Sequence, residues 1–245
     1  MLENKKVIIF DMDGTLIDSI GAWVEVDKKL IKEITNNNTE IDDVISFVKM
    51  REEKLKEYSG FENQYLEYCG FLGREYKSNM TKEEIHKKRY ELSNKYLEEE
   101  IDYKPNAEKV LKLLKENGFT LVIATTTGEN ALEKYKKLNK NIINKANLED
   151  IFEAIYSKDS VKEKKPNPEV HYKIMEQFGV KNYECLIIED SLMGVEAARN
   201  ANIDVAVIYD KYADIDREEI NRLSNYQFKD FNELFECLKK ELNIE

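Results

Sequence analysis

Hydrophobic and polar positions along the chain follow two rhythms. Near the N-terminus the residues KKVIIF end in an unbroken apolar run, Val7 to Phe10, which predicts a short strand buried on both faces. From about Ile20 to Ile101 no such run recurs. Stretches such as WVEVDKKLIKEI, DVISFVKMREEKLKEY and KEEIHKKRYELSNKYLEEE space their apolar residues as helices do, and they predict an all-helical segment. Breaks are expected at Asn36 to Thr39, at Gly60, and across CGFLGREYKSNMT, where Gly70 and Gly73 should interrupt helix. Thr81, with Glu84 three positions on, predicts a capping box at the next helix start.

From Asp102 onward helix alternates with strand. Asn106 is placed to cap a helix whose Ala107, Val110, Leu111 and Leu114 share a face, and Gly118 to close it. The strand TLVIAT follows, then a helix from about Glu129, the strand AIYS, and a helix opened by Pro168. LIIED, the helix SLMGVEAARNA, the strand VAVIYD and a final helix from about Phe231 complete the pattern. Short apolar strands separated by amphipathic helices predict an α/β class: a Rossmann-like parallel sheet core with helices on both faces. The expected domains are an α/β core of residues 1–19 and 102–245 and an all-helical domain of residues 20–101, inserted after the first strand.

Composition narrows the partners. A chain of 245 residues accommodates such a core with a smaller companion. A net charge of -11 argues against a basic nucleic-acid face and against adhesion to an anionic membrane. Cys69, Cys185 and Cys237 have neither zinc spacing nor a redox pair, and they read as reduced thiols of a cytoplasmic protein. The apolar runs are too short to span a bilayer, and Asp11 ends the first of them before it could form a signal core. A monomer or small homo-oligomer is expected.

Ligands of open parallel sheets bind beyond the carboxyl ends of the strands. The first strand delivers Asp11 and Asp13 there, and the second delivers Thr125, Thr126 and Thr127 ahead of Gly128. The strand LII delivers Glu189, Asp190 and Ser191, and the loop KEKKPNPE sets Lys165 before a Pro-x-Pro turn. Carboxylates that close repel unless something compensates them. A hard divalent cation such as Mg2+, bound by carboxylates, water and a substrate phosphate, would do so. Thr125, Thr126 and Lys165 are then candidates for the phosphate oxygens, helped by backbone donors where a helix starts near Gly128. Plainer roles stand beside these. Thr125 is also placed to cap a helix, and Thr127 reads as such a cap. Lys162 and Lys164 compete with Lys165, which the Pro-x-Pro register favours. His86 and His171 lack partners for metal binding or catalysis, and the lysine and glutamate runs between Lys54 and Glu100 read as solvated helix faces.

In order and spacing, DMDGTLIDS, VIATTT, KKPNPE and IIEDSLMGVEAA resemble the motifs of the haloacid dehalogenase-like superfamily, in particular its phosphatases with a helical cap after the first strand, the phosphoglycolate phosphatase and beta-phosphoglucomutase-like group. The resemblance implies a Mg2+-dependent phosphatase acting on a small soluble phosphorylated metabolite through an aspartyl-phosphate. It implies Asp11 as nucleophile and Asp13 as general acid and then base. It also implies a metal site of Asp11, the Asp13 backbone carbonyl and Asp190, with Glu189 and Ser191 supporting it, and a phosphate site of Thr125, Thr126 and Lys165. The cap would select the substrate. Arg51, Arg74, Tyr76 and Lys77 are its candidate contacts, Arg74 foremost because it lies in the glycine-interrupted loop. A sugar-phosphate mutase of the same superfamily is the alternative, although those mutases carry a histidine where this chain has Trp23. The other is a non-catalytic protein binding a phosphorylated ligand, against which the intact Asp11 and Asp13 argue.

Overall fold

The computed structural model describes residues 1–36, 39 and 41–244. Of the break expected at Asn36 to Thr39, Asn37 and Asn38 lie outside the described residues. The chain divides into two compact units, Met1–Ser19 with Ile101–Glu245, and Ile20–Glu100.

The first unit carries a parallel sheet of six strands: β1 (Val7–Phe10), β2 (Thr120–Ala124), β3 (Ala154–Tyr156), β4 (Cys185–Glu189), β5 (Asp204–Ile208) and β6 (Tyr226–Phe228). Their order is β3-β2-β1-β4-β5-β6. All four residues of β1 are buried, as expected for a central strand covered on both faces. Successive side chains alternate between faces. Val7 and Ile9 join Val122, Ile187 and Val205 in one core cluster, while Phe10 meets the Phe152 ring edge-on at 6.1 Å. The order reverses at β1, and Phe10 is in register with both Ile123 of β2 and Ile188 of β4. The carboxyl ends of these three strands therefore finish level, at the switch point where such sheets bind ligands. The edge strand β6 was not foreseen: its three residues include the polar Gln227 and form no apolar run.

The second unit is built of α1 (Ile20–Ile34), α2 (Val44–Glu57), α3 (Gln64–Glu75) and α4 (Lys82–Lys95), the last continuing as a π-turn at Tyr96–Glu100. The predicted capping box of Thr81 and Glu84 opens α4. The predicted interruption at Gly70 and Gly73 is corrected: α3 runs through both. A Cβ on Gly73 would lie 2.8 Å from Ile85 Cδ1, and one on Gly70 3.3 Å from Lys82 Cβ. These glycines let α3 and α4 approach closely, and that packing outweighs their poor helix propensity. Arg74 accordingly sits exposed in the last turn of α3 and not in a loop. At the centre of the unit Asp27 is fully buried. It accepts from Arg89 Nε at 2.8 Å, Arg51 Nε at 3.1 Å and the Tyr68 hydroxyl at 3.2 Å, tying all four helices together. Arg51, read as a substrate contact, is thus committed to this interior pair. Arg89 lies within a run read as solvated, but the side chain is buried against the Tyr65 ring.

Among the described residues, eight further α-helices belong to the sheet-bearing unit: α5 (Ala107–Glu116), α6 (Glu129–Lys137), α7 (Lys140–Ala146), α8 (Leu148–Ile151), α9 (Glu169–Phe178), α10 (Leu192–Asn200), α11 (Arg217–Leu223) and α12 (Phe231–Glu241). Val170 and Ile174 of α9 and Val195 and Ala198 of α10 pack on the face shown by Val7 and Ile9. Helix α5 packs against β2, with α12 alongside it. Asn106 occupies the position before α5 in a left-handed conformation, without the expected side-chain cap bond, and Gly118 closes the helix at φ 82° as predicted. Ile101 belongs with this unit: it is buried and its carbonyl accepts from Asn139 Nδ2 at 2.9 Å. No helix among the described residues is long and apolar enough to cross a membrane.

Candidate active site

The segment after β1 folds back tightly. The amides of Leu16 and Ile17 both reach the Met12 carbonyl at 3.0 Å, and Gly14 turns the chain at φ 86°. Met12, Leu16 and Ile17 are thereby buried under the loop, which leaves Asp11 and Asp13 at its rim. The Asp11 amide stays in the sheet through the Ile188 carbonyl at 2.9 Å, next to the end of β4.

Glu189 and Asp190 arrive from that strand end, each 1% exposed. The Glu189 carboxylate is heavily committed. One oxygen accepts from the amides of Asp190 and Ser191, both at 2.8 Å, and from the Ser191 hydroxyl at 3.0 Å. The other accepts from Lys165 Nζ at 2.8 Å. Gly194 makes room for this carboxylate, since a Cβ there would fall 1.6 Å from Glu189 Oε1. Ser191 also caps α10, accepting from the Gly194 amide at 3.2 Å. Asp190 accepts from the Thr15 hydroxyl at 2.5 Å.

Among the competing lysines, Lys162 and Lys164 are exposed, whereas the Lys165 side chain is only 5% exposed. Its ammonium lies 2.8 Å from both Asp11 Oδ1 and Glu189 Oε1. Burial works against its charge, but these two carboxylates outweigh burial and hold it above the ordinary lysine range. Burial pushes Asp11 up to about 7; Lys165 opposes that rise and the charge of Glu189 adds to it. Asp190 is likewise driven above the usual carboxylate range by burial, with Glu189 and Asp11 adding to the effect. Burial raises Asp13 too, and the neighbouring Ser19 hydroxyl acts the other way.

Lys165 is thus paired with Asp11 and Glu189, while Asp190 adds a third buried carboxylate that only the more distant Lys104 offsets. Asp11, Glu189 and Asp190 each offer an oxygen, all within 4.8 Å of one another. Buried charge without a partner is costly, so the cluster suits a hard divalent cation. Because Glu189 is saturated by the loop and Lys165, Asp11 and Asp190 are the better placed to meet it.

Thr125, at the end of β2, is buried, and Thr126 beside it is exposed. Thr127 does not cap α6: that position belongs to Gly128. Its hydroxyl donates to Asp13 Oδ2 instead. His171 is buried and neutral, pushed down to about 3 by burial and by Lys165.

The chain matches the family model described as haloacid dehalogenase-like hydrolase over residues 8–208. It is 28% identical over 206 residues to a phosphoglycolate phosphatase of Aquifex aeolicus, covering 82% of this chain and 84% of that protein. It is 27% identical over 207 residues to a phosphorylated carbohydrates phosphatase of Thermotoga maritima, covering 81% of this chain and 82% of the relative. In fold it is similar to a putative beta-phosphoglucomutase from Thermotoga maritima, with a TM-score of 0.72 at 22% identity over 96% of this chain and 99% of that one.

Proposed function

Because the chain belongs to the haloacid dehalogenase-like hydrolases, we propose that it hydrolyses a small phosphate monoester at the cluster around Asp11. The observation that carries this reading is Lys165 Nζ held between Asp11 and Glu189 at the level carboxyl ends of β1 and β4, beside Asp190. Such a site sets a carboxylate nucleophile next to a fixed cation, in a place stripped of water where charge contacts are strong.

In the first step an Asp11 oxygen attacks phosphorus, the bond to the leaving oxygen breaks, and Asp13 gives its proton to that oxygen. In the second, water attacks the resulting acyl phosphate while Asp13 takes a water proton, and Asp11 is released with inorganic phosphate. Lys165 and the Thr125 hydroxyl would hold the non-bridging oxygens, Thr126 lying beside them. The Asp11 carboxylate, the Asp13 backbone carbonyl and Asp190 would hold Mg2+. When bound, the ion would neutralise charge on the transferring phosphoryl group. Names of the relatives point to phosphoglycolate or a phosphorylated carbohydrate as substrate. The helical unit, with Arg74 among its candidates, is assigned substrate selection on the resemblance.

The test is phosphate release from a panel of small phosphate esters, with and without Mg2+, with sugar-phosphate isomers analysed in the same mixtures. Mg2+-dependent release is expected. Interconversion of isomers without release would favour the mutase instead, and no reaction with any ester would remove the catalytic reading. Asp190→Asn is expected to raise the Mg2+ concentration for half-maximal activity by roughly tenfold to a hundredfold. An unchanged Mg2+ titration would take Asp190 out of the metal site.

A further inference from the structure

We infer that Thr127 is a positioning residue for Asp13, holding one carboxylate oxygen so that the other is presented to the leaving group. The inference rests on the reading of Asp13 as proton donor.

Three threonines follow one another here, but they are not equivalent. The Thr125 hydroxyl donates to Thr127 Oγ1 at 3.0 Å and accepts from the Thr127 amide at 3.1 Å. Thr127 thus receives a proton at its oxygen and has its own to give. It gives it to Asp13 Oδ2, from 114 positions along the chain. Without a phosphate the hydroxyls run from Thr125 to Thr127 to Asp13; when the single Thr125 proton turns to a phosphate oxygen, the bond from Thr127 to Asp13 stays. The capping explanation for Thr127 is removed, because Gly128 stands at the cap and no side chain bonds there.

The far oxygen of the carboxyl completes the picture. Asp13 Oδ1 is closed off from solvent and has no hydrogen-bond partner among the described residues. A buried polar atom left without a partner is costly unless something meets it during function. With Oδ2 anchored by Thr127, rotation of the carboxyl is restrained and Oδ1 is the atom left to exchange a proton. Ser19 also stands beside the Asp13 carboxyl, close enough to favour its charged form, although its hydroxyl completes no bond of normal geometry. Of the two hydroxyls, that of Thr127 is the one bonded to the carboxyl, at Oδ2.

Positioning of an acid and mere packing can be told apart by the leaving group. An alkoxide is strongly basic and needs a proton as it departs; p-nitrophenolate is weakly basic and needs little help. The ratio kcat/KM covers the steps up to departure and excludes the later attack of water. Thr127→Val keeps the shape and deletes the hydroxyl, and Thr127→Ser keeps the hydroxyl. On the alkyl phosphate that the wild-type protein prefers, Thr127→Val is expected to lose about tenfold to a hundredfold in kcat/KM. The loss on p-nitrophenyl phosphate should be several-fold smaller, and Thr127→Ser should recover most of the alkyl activity. Equal losses on both esters, or full alkyl activity in Thr127→Val, would overturn the role of Thr127 while leaving the phosphatase reading intact. If the wild-type protein released phosphate from neither ester, that reading would fall, and the inference with it.

Discussion

Asp11→Asn is expected to lower phosphate release by about 10⁴-fold or more, because the covalent route disappears with the carboxylate. The protein should nevertheless fold. An asparagine has the same shape, its amide oxygen still accepts from Lys165 Nζ, and the substitution removes one of three crowded buried carboxylates. Its melting temperature without metal should match or exceed that of the wild type, since burial already disfavours the charged form of Asp11. Two measurements check this together: turnover of the purified variant on the best ester of the panel, and its thermal unfolding. Turnover within tenfold of wild type in a folded protein would show that another group accepts the phosphoryl, or that water attacks directly.

The second large effect is expected at Lys165, and it should be felt in stability as well as rate. Lys165→Met keeps the length of the side chain but breaks both ion pairs, leaving Asp11 and Glu189 buried and facing each other. Removing one partner of a buried pair costs about 3–5 kcal/mol, which for a unit of this size lowers the melting temperature by roughly 10 °C. Loss of the cation that steadies the transferring phosphoryl group should cost about 10²–10³ in kcat. Adding Glu189→Gln to Lys165→Met should return part of the stability, because one uncompensated charge goes, yet none of the activity. A double variant no more stable than the single one would mean that the Lys165 pair is worth less than its burial implies.

These effects come from contacts of unequal legibility. The apolar run Val7 to Phe10, ended by Asp11, marked a buried strand with acidic chemistry at its end, and β1 is that strand. The predicted strands TLVIAT, AIYS, LIIED and VAVIYD are β2 to β5, and their alternation with helices carried the parallel sheet. All of this is local information: a strand covered on both faces is apolar throughout, and a turn with φ above zero favours glycine, as at Gly14 and Gly118. The order and spacing of four short motifs then carried the family.

What escaped the sequence depended on neighbours distant along the chain. Choosing Lys165 over Lys162 and Lys164 rested on register alone until the fold buried one ammonium between two strand ends and left the others in water. Thr127 looked like a cap because hydroxyls before helices commonly are caps; only the return of the loop after β1 brings Asp13 to it. Gly70 and Gly73 looked like helix breakers until α4 was seen packed where their side chains would be. Arg89 lies in a run read as a solvated face, yet it meets Asp27 across 62 positions in the interior of the helical unit. Local pattern determines which elements form and which faces they bury, because propensity and periodicity act over a few residues. Which polar side chain is stripped of water, and by what partner, is decided only when elements pack, because desolvation belongs to the whole environment of a group and not to its place in the chain.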